Sequence, residues 1–335
     1  MSIIMTGGGT GGHLAIIKAV KEHLKQEELI YIGSTQGQDK QWFGEDEDFA
    51  YKYFFQTRGV VNQGALGKIK SLFMLLKASF KAIAILRRHK AKVVFSVGGF
   101  SSAPTAFASK LLRIPLVIHE QNASMGSLNK LLKPYANDFI SSYLAESPIQ
   151  AYPIKEVFFD NARVRNKIKT IIFLGGSQGA KAINTLALNL AKDLDAKGIK
   201  ILHQAGEKNI DEVQEAYVKL GIKAEVFGFS TNLAGLMQKA DFAVARAGAS
   251  TLWELSATGL PSFFVPYPYA SSDHQFHNAQ FLVEKNLAWI RREDKLEAQD
   301  ILELLDENLS LKSQSLILLI QKNGSEQIAK LLTHK

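Results

Sequence analysis

The sequence predicts an α/β protein of two tandem domains, each built on a parallel sheet covered by helices on both faces. Three observations lead to this prediction. The chain has 335 residues, a length that suits two domains of about 150 residues. Short β-rich apolar runs alternate with longer amphipathic stretches, which is typical of parallel sheets. Finally, each half opens with a strand that is followed by a glycine-rich turn.

Four strands are predicted in the first half, because each apolar run is β-rich and bounded by glycine or polar residues. They cover residues 2–6, 29–33, 93–97 and 116–119. The amphipathic stretches at residues 14–25 and 104–112 are the helices expected between them.

The second half repeats this rhythm. Its predicted strands cover residues 170–174, 200–204, 224–227, 242–245 and 262–265, and its helices cover residues 180–195, 211–220, 231–239 and 251–258. A polar, basic stretch separates the halves, so we predict two Rossmann-like domains at residues 1–160 and 161–335. We also expect the last helix to be able to pack back on the first domain. Ligands of such sheets bind at the carboxyl ends of strands, which predicts a site in the cleft between the sheets.

Composition narrows the class of protein. The chain contains no cysteine, which excludes a disulfide scaffold and a Cys-ligated metal and agrees with a reducing cytoplasm. No signal-peptide pattern and no apolar run of about 18 residues is present, so we expect a soluble or peripheral protein. The net charge is +8, and residues 1–160 hold +6 of it. An anionic partner is therefore expected, either nucleic acid, a phosphorylated substrate or anionic lipid.

The first glycine-rich turn satisfies the dinucleotide pattern G-x-G-x-x-G with Gly7, Gly9 and Gly12. An NAD or FAD site also needs an acidic residue after the next strand, and that strand ends in Gly33 and Ser34 instead. A glycine-rich turn at a helix N-terminus still suits an anion or a sugar phosphate. The alternative is a tight turn that needs glycine only for its backbone angles.

Six motifs follow one another along the chain, with Gly126, Asn129, Glu254, His274, Gln275, Asn278 and Ala279 nearby. They cover residues 6–13, 97–104, 119–122, 175–180, 246–251 and 266–268. This ordered set resembles the MurG family of N-acetylglucosaminyltransferases. The chain departs from the family at Ile16, where proline is usual, and at Phe100, where tyrosine is commoner. It also departs at residues 161–165, where the family carries Asn-Pro-x-Arg.

The resemblance implies a GT-B fold, in which two Rossmann-like parallel-sheet domains face each other across a cleft. It implies inverting transfer of GlcNAc from UDP-GlcNAc to the C4 hydroxyl of undecaprenyl-pyrophosphoryl-MurNAc-pentapeptide (lipid I). The product would be lipid II, a precursor of peptidoglycan. The first domain would bind the acceptor and the second the donor, at the cytoplasmic side of the inner membrane. Cell-wall synthesis or division proteins are further expected partners.

The resemblance also implies site residues. His13 is the first choice for the general base, with Glu120 second; a loop-fixing role for Glu120 is an equal alternative. Either Arg163 or Arg165 is expected to face the donor. The residues expected to bind UDP-GlcNAc are Thr10, Gly11, Gly12, Asn122, Ser177, Ser230, Ala249, Ser250, Thr251, Leu252, Trp253, Glu254, Gln275 and Asn278.

The resemblance also implies individual roles, with which the chemistry of these side chains agrees. The Glu254 carboxylate can accept hydrogen bonds from two vicinal ribose hydroxyls, or it is an ordinary helix-surface residue. Ser177 would contact the diphosphate. Asp273, His274 and His277 form an incomplete ligand set for a metal. We therefore expect no obligatory metal and no cofactor, since UDP-GlcNAc is a substrate.

Residues 64–92 are the predicted membrane contact. They carry eight basic residues and no acidic one, interleaved with leucine, isoleucine and phenylalanine. A basic amphipathic helix of this kind attracts anionic lipid, although part of its apolar face must cover the sheet. Nucleic acid could bind the same basic residues, but the sequence contains no recognised nucleic-acid-binding motif.

Other functions remain open at this stage. A glycolipid glycosyltransferase that acts on diacylglycerol is disfavoured by the block at residues 119–129. A UDP-GlcNAc 2-epimerase would make UDP-ManNAc from the donor alone. An NAD-dependent oxidoreductase would need an acidic residue after the second strand, and this sequence has none there. A binding module without activity would not need the full set of polar residues in the motifs.

Overall fold

The computed structural model describes residues 1–57, 65–176 and 178–335. The chain divides into two compact units. The first unit comprises Met1–Ile154 and Asn323–Lys335, and the second unit comprises Lys155–Lys322. The division falls before the boundary predicted at residue 160, because the helix Glu156–Asp160 packs against the helix Ala249–Ala257 of the second unit.

The first unit is built on a six-stranded parallel sheet of order β3-β2-β1-β4-β5-β6. Its strands are β1 (Ile3–Thr6), β2 (Leu29–Ser34), β3 (Tyr51–Phe55), β4 (Val93–Ser96), β5 (Leu116–Glu120) and β6 (Asp138–Ser141). Its first five helices are α1 (Gly11–Lys21), α2 (Asp39–Phe43), α3 (Ala65–Arg88), α4 (Ala103–Leu112) and α5 (Ser127–Leu132).

The second unit repeats the design with the order β12-β11-β10-β7-β8-β9. Its strands are β7 (Thr170–Leu174), β8 (Lys200–Gln204), β9 (Ala224–Phe227), β10 (Phe242–Ala245), β11 (Ser262–Phe264) and β12 (Ala288–Ile290). Its helices are α6 (Glu156–Asp160), α7 (Lys181–Ala196), α8 (Ile210–Leu220), α9 (Leu233–Lys239), α10 (Ala249–Ala257), α11 (His274–Val283), α12 (Gln299–Leu302) and α13 (Ser310–Leu319).

Both sheets are parallel and covered by helices, so the predicted fold class is confirmed. Central strands are buried at nearly every position, because helices cover both faces of the sheet. In the first sheet Ile3 of β1 pairs with Leu29 of β2 on one side and with Val93 of β4 on the other. In the second sheet β7 occupies the same central position, between β10 and β8.

The last helix, α14 (Gly324–Thr333), belongs to the first unit. It packs against α1 and buries Ile328 and Leu332. Ser325 Oγ donates a hydrogen bond to the carbonyl oxygen of Ile154 at 3.2 Å. The first unit is therefore completed by two separate stretches of chain.

Three strands were missed by the sequence analysis: β3, β6 and β12. Each is an edge strand and each is only partly buried. An edge strand has a neighbour on one side only, so it needs less apolar sequence than a central strand. Among the described residues, no helix is both long enough and apolar enough to cross a membrane.

Candidate active site

A pocket of about 440 Å³ lies at the carboxyl edge of the second sheet, where the strand order reverses between β7 and β10. Such a switch point is where parallel sheets bind ligands, because the loops that leave the two strands turn to opposite faces. The pocket is lined by Leu174 at the end of β7 and Gln204 at the end of β8. The glycine-rich turn after β7 forms one of its walls.

Two helices begin at this pocket. α7 starts at Lys181 and α10 starts at Ala249, and residues of both first turns line the cavity. The first N–H groups of a helix lack acceptors within the helix, and its dipole places partial positive charge at that end. The pocket therefore favours an anion such as a diphosphate.

The turn between β7 and α7 is tightly built. Gly179 has φ of +78°, and a Cβ at this position would lie 2.4 Å from the carbonyl oxygen of Ala205. The Gly176 N–H donates to Oε1 of Gln204 at 3.1 Å, so this amide serves the turn. Ser177, which was assigned to the diphosphate, lies outside the described residues.

Three charged side chains line the pocket: Lys181, Arg246 and Glu293. Arg246 follows β10 directly, and its Nη1 donates to the carbonyl oxygens of Val265 and Pro266 at 3.0 and 3.1 Å. Arg246 belongs to one of the six motifs, but no role was predicted for it. Its position at the carboxyl end of a central strand was the signal that could have identified it.

Of the predicted donor residues, Thr251 and Gln275 line the pocket. Thr251 lies in the first turn of α10, and Gln275 lies near the start of α11. Oε1 of Gln275 accepts a hydrogen bond from the N–H of Tyr267 at 2.9 Å, which fixes the side-chain amide at the pocket wall. These two predictions agree with the geometry of the pocket.

Other predicted donor residues do not line the pocket. Leu252 and Trp253 are buried on the core side of α10, so their side chains do not line the pocket, and their contact with the donor stays a prediction. The side chains of Ala249 and Ser250 are buried as well, so only their backbone at the helix start is suited to an anion. The structure explains this distribution, because one helix cannot present successive residues to the same side.

Asn278 and Ser230 do not line the pocket either, and their contact with the donor stays a prediction. Asn278 is fully buried and donates from Nδ2 to the carbonyl oxygen of Ala247 at 3.2 Å, so it supports the loop before α10. Ser230 Oγ accepts the N–H of Asn232 at 3.1 Å in the turn that precedes α9. It is Leu233 of α9 that lines the pocket.

Glu254 lies one turn after Thr251 on α10, so the two side chains share a face of the helix. It is half-buried. Burial raises the pKa of the Glu254 carboxyl to about 7, and the charge of Lys155 partly opposes this shift. Glu254 lies in the second half of α10 and does not itself line the pocket, so its contact with the ribose hydroxyls stays a prediction.

Neither arginine near the domain boundary lines this pocket, and their contact with the donor stays a prediction. Arg163 forms an ion pair with Asp241 at 2.8 Å. Arg165 is fully buried and donates to the carbonyl oxygens of Met237 and Ala240 at 2.9 and 3.2 Å. Burial lowers the pKa of Arg165 to about 9. These contacts lie before β10, at the opposite edge of the sheet, where the arginines hold the loops together.

In the first unit, the glycine-rich turn after β1 rests on a buried carboxylate. Asp39 Oδ2 accepts the Gly9 N–H at 2.6 Å, and Oδ1 accepts the Ser34 N–H at 3.0 Å. A Cβ on Gly8 would lie 2.4 Å from Oδ1 of Asp39. The turn therefore needs glycine for close packing, and the Gly9 amide points towards Asp39 instead of presenting itself to a ligand.

His13 lies in the first turn of α1, directly after this glycine-rich turn. Its Nδ1 is 2.9 Å from Oγ1 of Thr10, and its Nε2 is 3.0 Å from Nε2 of Gln121. The imidazole is thus oriented by a partner at each nitrogen. Gln121 was not among the predicted site residues.

Glu120 ends β5, and its carboxylate is committed to the loop that follows. Oε1 accepts the N–H of Asn122 at 2.9 Å, and Oε2 accepts the N–H of Gly126 and Nδ2 of Asn129, both at 2.9 Å. The side chain is buried. The geometry favours the loop-fixing interpretation of Glu120 over the role of general base.

His119 does not fix this loop by hydrogen bonds. Its ring is fully buried, and within the described part of the chain neither ring nitrogen has a hydrogen-bond partner. The ring packs edge-on against Tyr152, with centroids 5.6 Å apart. Burial lowers the pKa of His119 to about 3, with a smaller contribution from His13. His119 is therefore a neutral core residue.

Four predicted donor residues belong to the first unit: Thr10, Gly11, Gly12 and Asn122. Thr10 is exposed, and the other three are partly exposed. Their contact with the donor stays a prediction.

Family models match almost the whole chain. Residues 3–141 match the N-terminal domain of glycosyltransferase family 28, and residues 170–332 match the C-terminal domain of the same family. The two matched regions correspond to the two sheets described above.

Comparison with individual proteins identifies the same family. The chain is 70% identical over 332 residues to the UDP-N-acetylglucosamine–N-acetylmuramyl-(pentapeptide) pyrophosphoryl-undecaprenol N-acetylglucosamine transferase of Sulfurovum sp., covering 99% of this chain and 98% of that protein. It is 53% identical over 319 residues to the protein of the same name from Sulfurimonas denitrificans, covering 95% and 94% of the two chains. The crystal structure of Acinetobacter baumannii MurG is 27% identical, with a TM-score of 0.83 over 100% of this chain and 99% of that one. The chain belongs to glycosyltransferase family 28 and, within it, to the MurG N-acetylglucosaminyltransferases.

Proposed function

We propose that this enzyme transfers GlcNAc from UDP-GlcNAc to the C4 hydroxyl of lipid I, with inversion at the sugar, and forms lipid II. The observation that carries the proposal is the anion-favouring pocket at the switch point of the second sheet, in a chain 70% identical to a transferase named for this reaction. An oxidoreductase would need an acidic ribose partner after the second strand of the first unit, where Ser34 stands.

The donor diphosphate would sit between the starts of α7 and α10, with Lys181 and Arg246 as its cationic neighbours. Support comes from the joint lining of one cavity by both helix starts and both cations. Gln275 would contact the GlcNAc, and Glu254 would accept the ribose hydroxyls. Each of these groups is suited to a bond that UDP-GlcNAc offers.

The chemical step needs a base and a stabilised leaving group. His13 would take the proton of the C4 hydroxyl while that oxygen bonds to C1 of GlcNAc. The C1–O bond to the diphosphate breaks, and its electron pair leaves with UDP. The helix starts and cations would stabilise the negative charge that develops there. The contact of Thr10 with Nδ1 supports this role because it orients the ring. Gln121 would have to release Nε2 before that nitrogen can take the proton.

We further propose that the enzyme is a peripheral protein of the inner membrane, docked on anionic lipid at its cytoplasmic side through residues 64–92. Apolar side chains of α3 face outward: Phe73 and Phe80 are 68% and 72% exposed. Lys77 and Lys81 are exposed beside them. A helix that only covered the sheet would not present large apolar and basic side chains together.

Part of this segment does not support docking. Ala78, Ala82 and Leu86 are buried against the sheet, as the packing interpretation required. Nζ of Lys92 forms an ion pair with Oε2 of Glu27 at 3.0 Å. Gly64 and the side chain of Lys68 lie outside the described residues. Cell-wall synthesis or division proteins stay predicted partners.

The central test is radiolabelled GlcNAc transfer from UDP to a lipid I analogue in vesicles. We expect a labelled lipid-linked disaccharide that needs both substrates. The donor should also be incubated alone, and its sugar analysed. Release of UDP-ManNAc without an acceptor would identify an epimerase and overturn the proposal.

A further inference from the structure

The wall of the donor pocket contains an ion pair between Arg246 and Glu293. Nη2 of Arg246 lies 2.6 Å from Oε2 of Glu293. The guanidinium also lies over the ring of Tyr267, 5.6 Å from its centroid. Nη1 of Arg246 donates to two backbone carbonyls. An anion can therefore approach the guanidinium from the side that carries Nη2. Glu293 occupies that side.

A carboxylate is unexpected in this position. The other electrostatic features of the pocket, namely the two helix starts, Lys181 and Arg246, attract an anion. Among the described lining residues, Glu293 is the one acidic side chain. At short range and in partly buried surroundings, a carboxylate would repel a bound diphosphate substantially. A residue that opposes the substrate in its own pocket calls for a functional explanation.

The two partners differ in freedom to move. Arg246 is anchored to β11 and the residue that follows it, through Val265 and Pro266, and only 14% of its side chain is exposed. Glu293 opens a short 3-10 turn after β12 and is more exposed, at 32%. When the pair separates, Glu293 is therefore the side chain that moves.

The structure also offers Glu293 a place to go. A second pocket of about 540 Å³ adjoins the first, and Glu293 and Lys181 line both. The rest of its lining comprises the polar Thr185 and Asn189, the acidic Glu297, and the apolar residues Ala182, Leu186, Leu296 and Ala298. A turn of the Glu293 side chain into this space would keep it beside a cation and clear the guanidinium of Arg246.

We propose that Glu293 is an internal competitor of the donor diphosphate for Arg246. In the empty pocket the carboxylate neutralises the guanidinium, and a diphosphate must displace it to bind. After transfer, recapture of Arg246 by Glu293 favours release of UDP. Glu293 thereby sets the affinity for nucleoside diphosphates below what the pocket would otherwise reach. This inference rests on the proposed function, because it assumes that the pocket binds the donor.

The test is calorimetric titration of the full-length protein with UDP at low ionic strength. We expect Glu293→Gln to lower the Kd for UDP about fivefold or more, within the usual range for coupled sites. In an Arg246→Met background the same change should have a clearly smaller effect, because only the direct repulsion between carboxylate and diphosphate remains. Uridine, which carries no phosphate, should bind Glu293→Gln and wild type equally.

A matched control separates competition from general electrostatics. Asp294→Asn removes the same charge from the neighbouring, exposed position and should leave the Kd for UDP unchanged. Thermal unfolding of each variant verifies that it is folded. The inference is overturned if Glu293→Gln binds UDP no more tightly than wild type, or if Asp294→Asn tightens binding equally.

Failure of the proposed donor site gives a different result. Thr251→Val changes the same pocket without touching the ion pair. If neither Thr251→Val nor Arg246→Met alters UDP binding, the pocket is not the donor site. If Thr251→Val weakens binding while Glu293→Gln does not strengthen it, the donor site stands and the competition alone is refuted.

Discussion

Asn129 donates a hydrogen bond from Nδ2 to Oε2 of Glu120 at 2.9 Å, which ties α5 to the end of β5. Asn129 also packs under the second glycine-rich turn, since a Cβ on Gly98 would lie 2.9 Å from its Nδ2. Glu120, the acidic residue of the motif at residues 119–122, is thus held by hydrogen bonds from the residues that follow it.

We therefore predict that Glu120→Gln destabilises the fold by about 1–3 kcal/mol, because its amide group faces donors that need an acceptor. Asn129→Ala is the diagnostic partner, since it removes one donor and leaves the carboxylate intact. If Glu120 fixes the loop, both variants should lower the melting temperature and acceptor turnover. A general base would instead give a large loss of turnover in Glu120→Gln and little in Asn129→Ala.

Donor affinity should depend on pH through Glu254. Its pKa is raised to about 7 by burial, and the ionised form is the better acceptor for ribose hydroxyls. Binding therefore favours loss of the proton, so affinity for UDP should increase as the pH rises from 6 to 8, by up to about tenfold. Titration calorimetry at three pH values measures this.

Glu254→Gln is the control for that experiment. It keeps hydrogen-bonding atoms but cannot ionise, and any titration of the phosphate itself is the same in both proteins. The variant should bind UDP more weakly at pH 8 and lose the part of the pH dependence that belongs to Glu254. Identical pH profiles for the two proteins would exclude the ribose role.

His13→Ala should lower turnover about 100-fold or more, the usual cost of losing a general base. Because the base acts in the transition state, the Kd for UDP should stay near that of wild type. Gln121→Ala is informative beside it, since Gln121 contacts Nε2 of His13 at 3.0 Å. We expect an intermediate loss of turnover. Near-normal turnover in His13→Ala would place the base elsewhere.

Reversal of four exposed basic residues of α3 to glutamate should release the enzyme from anionic vesicles. The set is Lys77, Lys81, Arg87 and Arg88. Each Lys or Arg near an anionic surface contributes about 1 kcal/mol, and this falls with salt. Flotation with and without salt measures the effect, and donor binding should survive because the second unit is unchanged.

An equal change of charge on the second unit is the matched control for flotation. The exposed residues to reverse are Lys200, Lys208, Lys223 and Lys239. This variant should still float with the vesicles. If both variants bind, or both detach, α3 has no specific role in docking.

Transfer should need no divalent metal. Lys181, Arg246 and two helix starts surround the pocket, and they supply the positive charge that a metal gives in other transferases. Asp273, one of the residues considered for a metal, is paired with Arg292 at 2.6 Å. Activity should persist in EDTA. Loss of activity in EDTA that magnesium restores would contradict this prediction.

Burial decided which elements could be predicted from the sequence. Strands such as β1 and β7 are buried at nearly every position, so their apolar runs stand out. β3 begins with exposed Tyr51 and contains Lys52, and it therefore lacks that signal. The predicted ends of helices differ from the observed ends by a few residues. For example, the first helix was predicted to begin at residue 14, but α1 begins at Gly11, within the glycine-rich turn.

The site was predictable where a motif follows a strand directly. Thr251 and Gln275 line the pocket because their motifs lie at the carboxyl edge of the sheet. The spacing around Arg163 and Arg165 could not reveal that these side chains belong to the opposite edge. Glu293 lies outside every motif, and only the folded chain brings it to Arg246.

The return of α14 to the first unit has a consequence for biosynthesis. The second unit is one continuous stretch, Lys155–Lys322, while the first needs Asn323–Lys335 as well. A ribosome therefore finishes the second unit before it can finish the first. Truncation or a bulky fusion after Lys322 would damage the unit that was translated first, although its other residues were made long before.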